Sequence, residues 1–333
     1  MENLKDRVTI YEVATTAKVS LATVSRVINN KGNVTESTKR KVEDAIQKLG
    51  YKPSSLAQSL ATSKTTNIAI ILPAANYVYI SNMLSGMIDV GRIYGYRTTV
   101  FTSDTDEDSE ALVNSIITSR CDGAIVFGSQ LTEEDVNKLI SYNVPTLIVG
   151  NSLSAEKIGS VEIDYNTEIK NIVRSYLDKG IKDIAMLKYK KNTMYFLNDV
   201  TKAVEETFKE YGLEYNNYIE IDDSYHGTYE TISKLFNTND KHQVYIAPRD
   251  SLAAAIINAA NDKGINCPNE FEVLAIIGTK YSIMTRPTIS SMDVDMYEVG
   301  SVAARMLTKL LAGKLENKVF KLSGEYVARG STK

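Results

Sequence analysis

A short run of residues near the start of the chain has the types and spacing to read a nucleic acid. Ser20, Leu21, Ala22, Thr23, Ser25, Arg26 and Asn29 fall within Ser20-Leu-Ala-Thr-Val-Ser-Arg-Val-Ile-Asn29. At helical spacing Leu21, Val24, Val27 and Ile28 share one side, and Ala22, Thr23, Ser25, Arg26 and Asn29 the other. Leu21, at the first turn, also counts among the contact candidates. The outer set suits a helix in the major groove. Small side chains permit close approach, hydroxyls bond phosphates or bases, and one guanidinium can fork onto guanine.

Such a helix needs others to hold it. Thr9-Ile-Tyr-Glu12 has the form of a capping box, with the Thr9 hydroxyl accepting from the Glu12 amide and the Glu12 carboxylate from the Thr9 amide. Ile10, Val13, Ala14 and Ala17 continue at helical spacing, and Lys18-Val19 leaves room only for a tight turn before Ser20, a good N-cap. A third helix is expected from about Glu36 to Leu49, with Val42, Ala45, Ile46 and Leu49 inward and Lys39, Arg40 and Lys41 near its start. Thr9 and Tyr11, at the first helix start, join the predicted DNA contacts. The competing interpretation is a small three-helix bundle with an ordinary solvated face. Charge favours DNA. Residues 1–62 hold ten Lys/Arg against six Asp/Glu, and the rest 28 against 35. A basic head on an acidic body suits a head that meets phosphate.

A chain of 333 residues is too long for one ordinary core. Hydrophobic and charged fractions of 43% and 24% are those of a soluble globular protein. No apolar run reaches membrane-spanning length. Met1 to Arg7 is charged and leads straight into a helix, which predicts no signal peptide and a cytoplasmic location. Cys121 and Cys267 sit in apolar surroundings and are expected as buried reduced thiols. His226 and His242 are the only histidines, so no metal cluster is expected. With no glycine-rich phosphate loop and no G-x-S-x-G either, an enzyme is not expected, nor is a cofactor.

Pro53 breaks the third helix, and Ser54 to Ala61 could form two helical turns, too few to be stable alone. From Asn67 short apolar strands alternate with helices. Strands are expected at 68–72, 98–102, 123–127 and 146–149, with helices near 79–94, 107–119 and 132–142. The pattern then restarts with strands at 161–163, 184–187, 218–221, 244–247 and 273–277, separated by helices. This predicts an α/β protein with two successive doubly wound parallel sheets and a cleft between them.

The head motif resembles the lactose-repressor (LacI/GalR) family, in Thr9 to Ala14, Val19-Ser20 and Ala22 to Asn29. Leu49-Gly-Tyr-Lys-Pro53 with Ala57-Gln-Ser-Leu-Ala61 resembles that family's hinge. The resemblance implies a helix-turn-helix domain at 1–52, a hinge at 53–66, and a periplasmic-binding-protein-like core at 67–333. Its first lobe would span about 67–162 and 292–322, its second about 163–291 and 323–333, with Ser290 to Ala312 crossing back. It also implies DNA contacts from Ala57, Leu60 and Ala61. Leu60 would wedge into the minor groove with its symmetry mate, and Gln58 replaces the family's Arg. In the cleft the implied residues are Tyr77, Tyr79, Arg249, Asp250 and Lys280. Ala74 and Tyr77 stand where the family has Asp and Asn, Val200 where it has Arg, and Lys280 where it has a carboxylate, which predicts weak or no binding of free monosaccharides. Asp250 has a plainer role open to it, as the N-cap of a helix at 251–263.

Further matches, in Arg286-Pro287, Met296-Tyr-Glu-Val-Gly300, Arg305, Leu307-Thr-Lys309 and Arg329 to Lys333, resemble the branch of the family concerned with carbon catabolite control. That branch implies a homodimer on a pseudopalindromic operator. It also implies a contact of Tyr297, Glu298, Val302 and Arg305 with serine-phosphorylated HPr, whose phosphate suits a guanidinium. On periodicity alone Val302 and Met306 would face the core. Glu325 falls where the branch has a second phosphate-facing Arg. The alternative is a local sugar-operon repressor with a small-molecule effector.

Overall fold

The computed structural model describes residues 8–29, 32, 34–52, 65–72, 77–102, 109–128, 131–150, 158–190, 195–238 and 240–333. The chain divides into two compact units, one up to Thr65 and the other from Thr66.

The first unit is three helices, α1 (Ile10–Ala17), α2 (Leu21–Ile28) and α3 (Glu36–Leu49). Each begins at a hydroxyl cap: Thr9, Ser20 and Thr35 accept from the amide three residues on. Val13, Ala14, Ala17, Val24, Val27, Val42, Ala45 and Tyr51 form the shared core.

The second unit holds two six-stranded sheets. The first contains β1 (Asn67–Leu72), β2 (Arg97–Thr102), β3 (Gly123–Phe127), β4 (Thr146–Val149) and β5 (Gly159–Asp164), in the order β5-β4-β3-β1-β2. Its helices are α4 (Val78–Ile93), α5 (Ser109–Thr118) and α6 (Glu133–Ser141). The second contains β6 (Ile184–Tyr189), β7 (Tyr218–Ile221), β8 (Val244–Arg249), β9 (Glu272–Ile277) and β10 (Ser290–Asp293), in the order β10-β9-β8-β6-β7. It carries α7 (Asn166–Asp178), α8 (Tyr195–Glu210), α9 (Tyr225–Thr238), α10 (Asp250–Asn261) and α11 (Lys280–Met284). The chain then returns through α12 (Met296–Leu311) to β11 (Val319–Ser323), which pairs with β5 in the first sheet. It ends in β12 (Glu325–Val327) on β10 in the second. Inner strands such as Val244–Arg249 and Glu272–Ile277 are buried throughout, as strands covered on both faces must be.

Two details differ from the sequence expectation. Ser290–Asp293 is a strand of the second sheet, so the returning segment starts after Asp293 rather than at 290. The second sheet is also not wholly parallel, because β12 runs antiparallel to β10. The reason is topological: β10 ends where the chain leaves this lobe and β12 begins where it comes back, so the two run in opposite directions.

α12 packs on α4 at a pair of glycines. A Cβ on Gly300 would lie 1.9 Å from the Met83 carbonyl oxygen, and one on Gly86 would lie 2.1 Å from that of Tyr297. Only glycine allows backbones this close. Among the described residues no helix is long and apolar enough to cross a membrane, and no cluster of His, Cys, Asp and Glu could hold a metal. Both cysteines are buried and unpaired.

Candidate nucleic-acid interface and interlobe cleft

In the head, Lys18 caps α1 in the left-handed region at φ 56°. The chain reverses there, and the Val19 amide returns to the Ala14 carbonyl at 3.1 Å, a closed α-helix C-terminus. Ser20 then starts α2. Its hydroxyl lies 3.2 Å from the Thr23 amide and 2.8 Å from the Thr23 hydroxyl. Val24 and Val27 face the core, while Ser20, Leu21, Ala22 and Arg26 are exposed and Thr23 and Ser25 partly so. Leu21 is 38% exposed, so it lies on the outer face and not on the inner one suggested by periodicity. Among the described residues Arg26 has no ion-pair partner, which leaves its guanidinium free to fork onto a base.

Asn29 ends α2. Its amide donates to the Ser25 carbonyl at 2.8 Å and reaches the Ser25 hydroxyl at 3.3 Å, which fixes it toward the outer face. Thr9 and Tyr11 are exposed at the start of α1, Tyr11 at 69%. The capping box is closed, with the Thr9 amide 2.6 Å from the Glu12 carboxylate. Those bonds hold the Glu12 carboxyl below its usual range. Ala57, Gln58, Leu60, Ala61 and, in the core, Ala74 lie outside the described residues.

In the core, Tyr77 and Arg249 meet across the two lobes. Arg249 closes β8, where strand ends line the cleft of such a fold. Its guanidinium carbon lies 4.8 Å from the centre of the Tyr77 ring. The guanidinium also pairs with Asp223 and donates to the Tyr189 hydroxyl at 3.1 Å, and its Nε donates to Ser251 at 2.9 Å. Asp223 accepts the Tyr77 phenol proton at 2.6 Å. Burial and the Asp223 carboxylate push the Tyr77 phenol up to about 12. Tyr189 is raised well above its ordinary value, chiefly by burial. Asp223 and Tyr189 were not singled out from sequence; neither belongs to a motif, and only the convergence of β6, β7 and β8 at one sheet end brings them together.

Three expected cleft residues take other positions. Tyr79 is 2% exposed and stacks behind Tyr77 at 5.6 Å, so it forms a wall and not a contact surface. Asp250 does not cap its own helix. Its carboxylate accepts from the amides of Thr279 and Ser282 and from both their hydroxyls, at 2.6 to 3.0 Å. It therefore fastens the start of α11. Lys280 is exposed and lies 5.8 Å from the Tyr281 ring. Val200, where a cleft arginine was expected, is fully buried in the core.

On α12, Tyr297, Glu298 and Arg305 are exposed, and the Tyr297 hydroxyl donates to Asp89 of α4 at 3.2 Å. Val302 is 5% exposed and packs inward, so it supports this surface from below instead of belonging to it. At the end of α4, Ile93 and Tyr94 are 80% and 51% exposed. Sequence could not pick these out, because an apolar residue at a helix end is usually covered.

Comparison with known proteins agrees with this architecture. Residues 9–54 match the model for bacterial regulatory proteins of the lacI family, and residues 173–332 that for a periplasmic binding protein-like domain. Catabolite control protein A of Priestia megaterium is 33% identical over 330 residues, spanning 98% of this chain and 99% of that protein. A lac repressor dimer bound to operator and the anti-inducer ONPF superposes with a TM-score of 0.86 at 21% identity, over 98% of this chain and 99% of that one. The transcription regulator CcpA of Lactococcus lactis gives 0.70 at 26% identity, over 80% of this chain and 99% of that one. With a capped three-helix head and, after it in sequence, a two-lobed core, the chain belongs to the LacI family of bacterial regulatory proteins.

Proposed function

We propose that the protein is a cytoplasmic carbon-catabolite regulator, a homodimer that binds a pseudopalindromic operator and responds to serine-phosphorylated HPr. The observation that carries this reading is the outer face of α2. It presents Ser20, Leu21, Ala22 and an Arg26 with no ion-pair partner among the described residues to the outside, in a chain whose relatives over nearly the full length include catabolite control proteins. Each head takes one half-site in the major groove, with Thr9, Tyr11, Thr23, Ser25 and Asn29 beside the contact, and Ala57, Leu60 and Ala61 are the proposed minor-groove residues.

A second copy finds an apolar surface at α11, where Ile283 and Met284 are 60% and 66% exposed beside Tyr281. The phosphoprotein docks on Tyr297, Glu298 and Arg305, with the phosphoserine on Arg305. Docking fixes the lobe angle, which sets whether both hinges can fold on DNA. Glu325 stands on β12 of the second sheet and adds no cation for the phosphate. A sugar effector is the weaker reading, because Arg249 is already engaged and Asp250 is consumed by α11.

The test is operator binding with phosphorylated and unphosphorylated HPr, with retention of each on the immobilised protein. Phosphorylated HPr alone is expected to be retained and to raise operator affinity, and Arg305→Glu to abolish both effects. Stimulation that survives in the variant places the phosphate elsewhere.

A further inference from the structure

The cleft floor is satisfied by the chain's own side chains. Tyr77 directly precedes α4 of the first lobe, whereas Asp223 follows β7 and Arg249 ends β8 in the second. One tyrosine thus reaches across in two ways: its phenol donates to Asp223 at 2.6 Å, and its ring lies 4.8 Å from the Arg249 guanidinium carbon. The Asp223 carboxylate bridges both, since it also receives the guanidinium. Arg249 is 9% exposed and is held from behind by Tyr189 and Ser251. Tyr77 is held by its stack on buried Tyr79. None of these groups can turn away without losing partners on its own lobe.

We infer that Tyr77, Asp223 and Arg249 form a latch that links the two lobes through the chain's own side chains. Lobe closure in folds of this kind is ordinarily driven by a ligand that touches both halves. Here a phenol hydroxyl and ring supply those contacts, and the partly dehydrated setting strengthens the charged bonds. The latch biases the lobe angle before any partner arrives, so a partner acts on an equilibrium already shifted. A molecule entering the cleft must first break the Tyr77–Asp223 bond and compete for Arg249.

The experiment measures lobe separation by pulsed electron resonance in the full chain. Spin labels are placed on cysteines introduced at Ser115 of α5 and Lys209 of α8, both exposed and one on each lobe. Native Cys121 and Cys267 are buried and take no label. Labelled chains are mixed with excess unlabelled ones, so that distances come from single protomers. Tyr77→Phe, which removes one oxygen, is expected to broaden the distribution and shift it to longer distances. Asp223→Asn should do the same, and the double variant should add little to either, because all three break one linkage. Distributions that overlie the unmodified protein's, in variants with unchanged thermal unfolding, overturn the latch. Fully additive shifts do so too. If Asp223→Asn does not fold, Tyr77→Phe decides alone.

Discussion

Replacing Gly300 by alanine tests the seam on which the proposed partner surface is built. In an isolated or exposed helix this change is favourable by about 0.5–1 kcal/mol, because glycine loses more backbone freedom on folding. At this crossing the sign must reverse. The added methyl would lie 1.9 Å from the Met83 carbonyl oxygen, 2.8 Å from its carbon and 3.1 Å from the Met87 nitrogen. A relaxed carbon–oxygen contact is about 3.3 Å, so α4 and α12 must part by on the order of 1 Å. The obstacle is helix backbone and cannot rotate away. Overpacking of this kind costs roughly 1–3 kcal/mol, which for a unit of this size lowers Tm by roughly 2–10 °C. The assay is urea and thermal unfolding of the full chain, with operator binding in the presence and absence of the phosphoprotein. Parting the helices also takes Tyr297 from Asp89, so stimulated binding should fall more than basal binding. A Tm that stays put or rises refutes the close crossing, and with it the claim that α4 and α12 offer one continuous surface.

Arg26→Ala should cost about 1–3 kcal/mol of operator affinity and relax base preference at one position, read by selection from random-sequence DNA; full affinity and selectivity would remove Arg26 from the readout. Asp250→Ala removes the acceptor of the Thr279 amide and hydroxyl and of the buried Ser282 amide and should cost about 3 kcal/mol by urea unfolding, whereas a residue placed only for a ligand would leave the midpoint unchanged. Burial pushes the Cys267 thiol up to about 12 and raises Cys121, so Ellman's reagent at pH 8 should count no reactive thiol in the folded protein and two in urea; rapid reaction in the folded state would contradict their burial.

The alternation of strand and helix was legible because each inner strand is a short run of Ile, Val, Leu and Ala, as at Ile68–Leu72 and Val273–Ile277, bounded by turn residues. The helix starts of the head were legible to the residue, since capping boxes and N-caps are local: Thr9, Glu12 and Ser20 bond within three positions. Lys18 was not, because a lysine in the left-handed region is chosen by the turn around it and leaves no mark of its own. Asp250 failed for the opposite reason. A carboxylate at a helix start reads as a cap, yet its real partners are Thr279 and Ser282, 29 and 32 positions away. Tyr79 looked available because helical spacing cannot say which tyrosine of a pair is covered by the other.

The three lobe crossings show how separate inputs can act on one motion. The chain passes between the sheets after Asp164, after Asp293 and at Gly324. Strands that end at a crossing together, β5 and β11, run parallel, while β10 leaves and β12 enters, so they run antiparallel. The second crossing is pinned: Arg329 binds Asp293 at 2.5 Å, Ser291 at 2.6 Å and the Ile289 carbonyl at 3.0 Å. Only Val294 and Asp295 then separate that anchor from α12, which carries Tyr297 and Arg305. A protein docked on α12 therefore acts on a segment whose other end is fixed in the second lobe. The Tyr77–Asp223 contact spans the same two lobes, so the proposed docking and the proposed latch would act on a single coordinate, the angle between the sheets, and each would change the free energy of the other. Partner-stimulated operator binding should accordingly change in Tyr77→Phe, although Tyr77 is cleft-facing and Arg305 is on an outer surface. An identical fold-stimulation in the variant and the unmodified protein would mean that the lobe angle is not what the partner controls.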